Sequence, residues 1–270
     1  MALYDIIDEI AERQVTKSDT GDPRVPGALV GVVAKNYDKD MPGRVCVTIP
    51  VRENEANELQ WVRLAHPSGG DSWGHYFLPE VGDQVLLVFE GGNIEKPYIV
   101  GCVAKDKDKF LSGSVDKDNV KKRIVTKHGS QLLFEDAKEG DGDKDRLTLA
   151  TAKGQHTLLM DNDKGLIELR DQKGENAVVI KSKNGQMSVK AKSRLEILVG
   201  DGIKITMNGE TGAINIDCKQ LNVKAGQKVA VKTDGMLKEE AGQISAKASS
   251  IYKLESGGMV SIAGAPIKVG

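Results

Sequence analysis

Apolar side chains alternate with polar ones through most of the second half of this chain. A period of two is typical of β-strands that have one dry face and one wet face. Groups with this spacing are Leu147/Leu149, Ile167/Leu169, Met187/Val189/Ala191, Leu195/Ile197/Val199, Ile203/Ile205/Met207, Ile214/Ile216/Cys218 and Leu221/Val223/Ala225. The pattern therefore predicts a long series of short strands.

Glycine-containing turns separate these strands at intervals of roughly ten residues. They are Lys153-Gly154, Lys164-Gly165, Lys173-Gly174, Asn184-Gly185, Gly200-Asp201-Gly202 and Asn208-Gly209. Such pairs supply the positive φ that tight turns need. A single chain could coil into a parallel β-helix, or three chains could wind around one shared axial core. We favour three chains, each strand having neighbours from the others, because a strand offers only two or three small apolar residues.

The distribution of aromatic residues supports a narrow shared core. Between Glu135 and Gly270 the chain has one aromatic residue, Tyr252, whereas both tryptophans precede residue 105. Large rings usually supply much of the buried area of a small globular core. The chain is thus expected to divide into a compact domain at residues 25–104, a polar linker at 105–122 and a shaft at 123–270.

The compact domain has five apolar segments typical of strands, which are Leu29–Val33, Arg44–Ile49, Gln60–Leu64, Val85–Phe89 and Tyr98–Val103. Five strands in about eighty residues suit a small barrel of the OB type. Residues 1–24 precede it, and Leu3, Ile6, Ile7 and Ile10 follow helical spacing there. Such an amphipathic helix either packs on the barrel or docks on a partner.

Charge, the N-terminal sequence and cysteine content restrict the partners and the location of the protein. The 38 basic and 39 acidic residues give a net charge of −1, which argues against a nucleic-acid partner bound through bulk charge. Residues 1–14 lack the features of a signal peptide, so synthesis in the cytoplasm is expected. Cys46, Cys102 and Cys218 form no CxxC motif and are expected to be buried, reduced thiols.

Four blocks of the first half resemble the OB domain of the phage baseplate spike and VgrG family. The blocks are 41–47 (MPGRVCV), 61–63 (WVR), 74–89 (GHYFLPEVGDQVLLVF) and 96–101 (KPYIVG). The positions that carry the resemblance are Gly43, Arg44, Trp61, Arg63, Gly74, Phe77, Pro79, Glu80, Gly82, Asp83, Val85, Phe89, Pro97 and Gly101.

This resemblance implies an all-β protein with an OB barrel followed by a trimeric, intertwined β-helix. It further implies a membrane-puncturing central spike of a contractile injection machine, assembled into a particle, without catalytic activity or a cofactor. The N-terminal residues Leu3, Ile6, Ile7 and Ile10 would dock on a separate hub protein. A PAAR-type tip protein would contact the other end, at Ala265, Pro266, Ile267, Lys268, Val269 and Gly270.

The alternative interpretation is a trimeric β-helical fibre that binds a surface glycan. Adhesins generally present aromatic platforms for sugar stacking, and the shaft has only Tyr252. The sequence therefore favours the spike.

Three short motifs suggest chemistry but lack the context that it needs. Residues 70–74 (GDSWG) satisfy the G-x-S-x-G pattern of a nucleophile elbow, yet no helix is predicted after Ser72. Residues 141–145 (DGDKD) resemble a calcium loop without its later glycine and glutamate. The last histidine of the chain is His156, so histidines cannot supply a metal site at the C-terminal tip of the predicted shaft. We expect neither catalysis nor a bound metal.

Overall fold

The computed structural model describes residues 16–17, 23–25, 27–49 and 58–268. Leu3, Ile6, Ile7 and Ile10 lie outside the described residues, so the predicted N-terminal helix remains a prediction. The chain divides into two compact units, of which the first comprises residues 1–195 and 208–212 and the second comprises 196–207 and 213–270. Two short strands, β1 (Thr16–Lys17) and β2 (Pro23–Arg24), pair ahead of the main elements.

Five strands close into a barrel. They are β3 (Ala28–Lys35), β4 (Arg44–Thr48), β5 (Glu58–Leu64), β6 (Gln84–Phe89) and β7 (Pro97–Val103), in the order β3-β4-β5-β7-β6. The neighbours are antiparallel except for β5 and β7, which are parallel. Closure leaves no free edge, and each predicted strand of this domain is confirmed to within two residues at either end.

Alternate residues of the barrel strands form a closed apolar core. Its buried members are Val25, Leu29, Val33, Val45, Val47, Ile49, Leu59, Val62, Val85, Leu87, Phe89, Ile94 and Ile99. Gly31 occupies an inward position where a Cβ atom would lie 2.3 Å from Val47 Cγ1. A side chain at this position would force β3 and β4 apart, so the barrel needs glycine here.

The predicted linker contains a short helix, α1 (Lys109–Ser114). The Arg123 guanidinium lies 5.1 Å from the centre of the Phe110 ring and donates hydrogen bonds to Phe110 O and Ser114 Oγ. These contacts tie α1 to the first strand that follows, so this part of the linker packs against the shaft.

Seven strands then form one sheet in chain order. They are β8 (Lys121–Val125), β9 (Gln131–Glu135), β10 (Arg146–Ala150), β11 (His156–Asp161), β12 (Leu166–Asp171), β13 (Ala177–Lys181) and β14 (Gln186–Lys190). Every neighbouring pair is antiparallel. This pairing excludes a single-chain parallel β-helix for residues 121–190. It also corrects the expectation that every shaft strand pairs with other chains, because here the tight turns return each strand to its own chain.

The turn chemistry in this sheet agrees with the sequence. Gly154, Gly165, Gly174 and Gly185 have φ between 58° and 66°, a left-handed backbone conformation that glycine adopts at no steric cost. Single turns of 3₁₀ helix lie at Ala152–Gly154 and Ser182–Asn184. The Lys-Gly and Asn-Gly pairs thus reverse the chain after every five or six residues.

A second, smaller sheet follows, formed by β15 (Arg194–Val199), β16 (Ile203–Asn208) and β17 (Ala213–Cys218) in that order. The described residues from 219 to 268 contain neither a strand nor a helix within one chain. The strand predicted at Leu221/Val223/Ala225 is therefore not formed within one chain. Its apolar side chains are exposed.

Asp161, at the end of β11, is the one buried carboxylate in the seven-stranded sheet. It accepts a hydrogen bond of 2.9 Å from the Lys164 backbone N–H and ion-pairs with Arg146 at 3.2 Å. The Lys164 N–H bond, followed by the charges of Arg146 and Lys164, lowers the pKa of Asp161. Its carboxylate stabilises the folded state at pH values above the unfolded pKa of about 3.9.

Replacing Asp161 with Asn is expected to lower the free energy of unfolding at pH 7 by about 1–3 kcal/mol, because a buried charge-assisted network is broken. The difference from wild type should shrink as pH falls below about 3.9 and through the lowered folded pKa, where the wild-type carboxylate also becomes neutral. Urea unfolding at several pH values measures this, with Asp163→Asn in the same turn as the exposed control. Equal effects of the two variants would contradict the assignment.

Candidate interaction surfaces

One face of the seven-stranded sheet is a continuous apolar surface. The strand register places one residue of each strand directly opposite the next, in the row Ile124, Leu132, Leu149, Leu158, Leu169, Val178 and Val189. A second row, two residues along each strand, contains Lys122, Phe134, Leu147, Met160, Ile167, Ile180 and Met187. Thirteen of these fourteen positions are apolar, and we call this surface the dry face.

Much of the dry face is exposed in the part of the chain that the structure describes. Leu149 is 53% exposed, Leu169 is 52% exposed and Met187 is 68% exposed. The residues lining its concave part enclose a depression of about 380 Å³ between Ile124 and Leu169. Six strand spacings of ~4.8 Å make the face roughly 29 Å long.

The opposite face of the same sheet is mixed. Charged side chains share it with Leu133, Leu159, Leu166 and Val179. One of its rows places Lys121 opposite Glu135, Glu135 opposite Arg146 and Arg146 opposite Asp161. Arg146 lies 3.8 Å from Glu135 Oε2, so opposite charges alternate across four strands. Antiparallel sheets with one wet and one dry face normally bury the dry one.

The barrel contacts the start of the seven-stranded sheet through its loop at residues 79–83. Lys127 Nζ lies 2.8 Å from Glu80 Oε2, and Lys105 Nζ donates a hydrogen bond to Gly82 O at 2.9 Å. Asp83 Oδ2 in turn accepts from the Glu80 backbone N–H at 2.9 Å. This loop therefore joins the barrel to both the linker and the first turn of the shaft.

The G-x-S-x-G sequence lies in an exposed loop of the barrel. Gly70 N donates to Trp73 O at 2.8 Å, and His75 N donates to Ser68 O at 3.0 Å. The residues after Ser72 form no helix, and a nucleophile elbow requires one. The loop exposes Trp73 and Tyr76 rather than an activated serine.

The described residues contain no group of three or more side chains suited to hold a metal ion. In the loop at 136–145, Asp145 Oδ1 accepts a hydrogen bond from the Ala137 N–H at 2.8 Å, so this carboxylate closes a hairpin loop. Among the described helices, none is long and apolar enough to cross a membrane.

The three cysteines differ from one another. Cys46 is buried, and burial raises the pKa of its thiol. Cys218 is half-buried, while Cys102 is exposed, so the expectation of buried thiols is wrong for Cys102. The alternating pattern predicted burial for Cys102, but it does not show which face of β7 points into the barrel core.

Comparison with known proteins finds a family match for the barrel. Residues 29–103 match the family model described as the type VI secretion system/phage-baseplate injector OB domain. The barrel is similar to that OB domain. Over 79% of its length the chain is similar to a VgrG spike protein.

The similar proteins are type VI secretion system spike proteins of Pseudomonas aeruginosa. VgrG2a is 31% identical over 86 residues, which cover 29% of this chain and 10% of VgrG2a. VgrG1a is 23% identical over 245 residues, which cover 79% of this chain and 38% of VgrG1a. The chain thus spans a minor part of these relatives.

The barrel brings together many of the positions that carry the resemblance. Val85 and Phe89 lie in the core and Pro79 is buried, whereas Phe77 is exposed and its ring lies 4.8 Å from that of His75. Gly74 has φ of 155°, and a Cβ atom there would lie 2.9 Å from Gly69 Cα.

Other such positions surround one depression on the side of this domain. Arg44, Trp61, Arg63 and Pro97 line an open space of about 310 Å³. Trp61 has φ of 49° at a bulge in β5 opposite β4. Sequence alone gave no sign of this strained backbone.

The predicted tip-contact residues are only partly described. Ala265, Pro266, Ile267 and Lys268 are exposed, while Val269 and Gly270 lie outside the described residues. Their contact with a tip protein stays a prediction.

Placing Lys at Leu149 is expected to prevent self-association, because the dry face would then have to bury a charge. The fold of one chain should survive, since Leu149 is already half-exposed. The matched control is Thr148→Lys, which is on the same strand but on the opposite face. Light scattering after size-exclusion chromatography measures the mass of each variant, and an unchanged mass for Leu149→Lys would contradict burial of this face.

Proposed function

We propose that the chain is the central spike of a contractile injection machine and that it pierces the target envelope as a homotrimer. The supporting observation is the dry face, which follows a barrel similar to the injector OB domain and whose apolar side chains are exposed in the described part of the chain. Three copies related by a three-fold axis bring three such faces together into one narrow core. Apart from Phe134, the apolar residues of this face carry no ring, which suits a narrow core.

The proposed action is mechanical. Each wall of the shaft is a sheet whose strands run across the axis, so its backbone hydrogen bonds run along the axis. Bending or breaking the shaft requires rupture of many hydrogen bonds and exposure of the shared core at once. Such a shaft can transmit the thrust of a contracting sheath without any catalytic step, and we propose that the protein is not an enzyme.

The two ends are proposed to carry different partners. A baseplate hub protein would hold the N-terminal end through Leu3, Ile6, Ile7 and Ile10. A PAAR-type protein would cover the C-terminal end, where Ile267 is 53% exposed. The chain would be made in the cytoplasm and then built into the particle.

Deleting residues 1–14 is expected to leave self-association intact and to abolish incorporation into particles, because only the hub contact is removed. Immunogold electron microscopy of purified contractile particles should place the wild-type chain at the distal end of the baseplate. The control replaces Asp5 and Asp8 with Asn, which removes two charges from the other face of the predicted helix.

Incorporation of the deleted chain at the wild-type level would contradict hub docking by this segment. Gold label along the sheath, or absent from particles altogether, would contradict the spike itself.

A glycan-binding fibre is the second candidate, and the exposed rings of the barrel favour it. Trp73 and Tyr76 are each 66% exposed on the loop that contains Ser72. If they form a sugar platform, the wild-type chain should bind members of a glycan array and the Trp73→Ala/Tyr76→Ala variant should not. Absence of binding by the wild-type chain would exclude this candidate.

A further inference from the structure

The seven-stranded sheet has two turn sides that differ in charge. Because its strands follow chain order, successive turns alternate between them. The first side carries the turns at residues 126–130, 151–155 and 172–176. The second side carries the turns at 136–145, 162–165 and 182–185.

The second side begins with a strongly acidic loop. Residues 136–145 contain five carboxylates and two lysines. Lys138 Nζ lies 3.3 Å from Asp118 Oδ1, so this lysine is already paired outside the loop. Glu139, Asp141 and Asp143 are exposed, which leaves the tip of the loop with an excess of negative charge.

The first side carries lysines in the two turns that lie one strand spacing from the acidic loop. Lys127 is held by Glu80 of its own barrel. Lys153 is exposed and has no ion pair among the described residues. It occupies the tip of a turn, where its φ is 59°.

The heights of these turns bring the acidic loop close to Lys153. The loop connects β9 to β10, and the Lys153 turn connects β10 to β11. They therefore differ by one strand spacing of ~4.8 Å along the axis, whereas the Lys173 turn lies three spacings from the loop, about 14 Å. A lysine side chain spans the shorter separation.

Cyclic symmetry decides which sides meet. In a three-fold ring every interface is head-to-tail, so the first side of one copy faces the second side of the next. This step rests on the proposed homotrimer. Rotation about a closed axis introduces no shift in height, so the levels within one chain also apply across the interface.

We propose that the acidic loop at residues 136–145 of one copy lies against the Lys153 turn of the next copy and closes each of the three seams of the shaft. Opposite charges at the seam ensure that the first turn side of one copy meets the second turn side of the next. They also fix the position of one copy relative to the next along the axis. Between exposed groups this attraction specifies register more than it adds stability.

Cross-linking tests the seam directly. In a background of Cys46→Ala, Cys102→Ser and Cys218→Ser, cysteines replace Asp141 and Lys153, and a short bis-maleimide is added. We expect a covalent trimer on denaturing gels. The matched control pairs Asp141→Cys with Lys183→Cys, which lies on the same turn side four spacings away, about 19 Å, and should give no cross-linked product.

A covalent product from the 141/183 pair, or from an Asp141→Cys/Lys173→Cys pair in place of the 141/153 pair, would overturn the seam. So would the absence of any cross-link in a background that sediments as a trimer. A background and a wild-type chain that both sediment as monomers would instead overturn the proposed homotrimer.

Charge reversal supplies an independent readout. Lys153→Glu should shorten the lifetime of the trimer in urea at low salt by about threefold to tenfold, and adding Asp141→Lys should restore it. Lys173→Glu serves as the control and should have less than half that effect. Equal effects of Lys153→Glu and Lys173→Glu, or no recovery in the double variant, would overturn the pairing.

Discussion

The structure depends on removing one face of a seven-stranded sheet from water. An antiparallel sheet built by tight turns satisfies its own backbone hydrogen bonds, but it cannot cover its own side chains. Here thirteen apolar side chains share one face, and members such as Leu149, Leu169 and Met187 remain exposed in the described part of the chain. The other face carries the charged row Glu135, Arg146 and Asp161, in which Asp161 is buried by its ion pair and neighbours. We therefore propose that the sheet forms half of an interface, so that its alternating pattern specifies association as well as strands.

The barrel, by contrast, buries its apolar side chains within one chain. Its strands close on themselves, so their inward residues bury one another around Val47, Leu87 and Ile99. Lys127 and Glu80 join the two parts at the first turn of the shaft. A barrel with its own closed core thus precedes a sheet whose apolar face we propose to be covered by other copies.

Sequence pattern predicted the strands well, because burial of alternate residues is a local property. The five barrel strands and the glycine turns at Gly154 and Gly165 follow directly from it. Pairing partners are not local, so the pattern could not show that residues 121–190 pair within one chain. The polar composition of 105–122 likewise hid α1, whose contacts come from Arg123. The Trp61 backbone and the exposure of Cys102 also depend on neighbours that alternation does not reveal.

Sedimentation equilibrium of the wild-type chain tests the central claim most directly, because the claim is that other copies cover the dry face. The account predicts a single species with three times the 29.1 kDa chain mass, which persists on dilution to nanomolar concentration. A stable monomer that remains soluble with Leu149, Leu169 and Met187 exposed would contradict it.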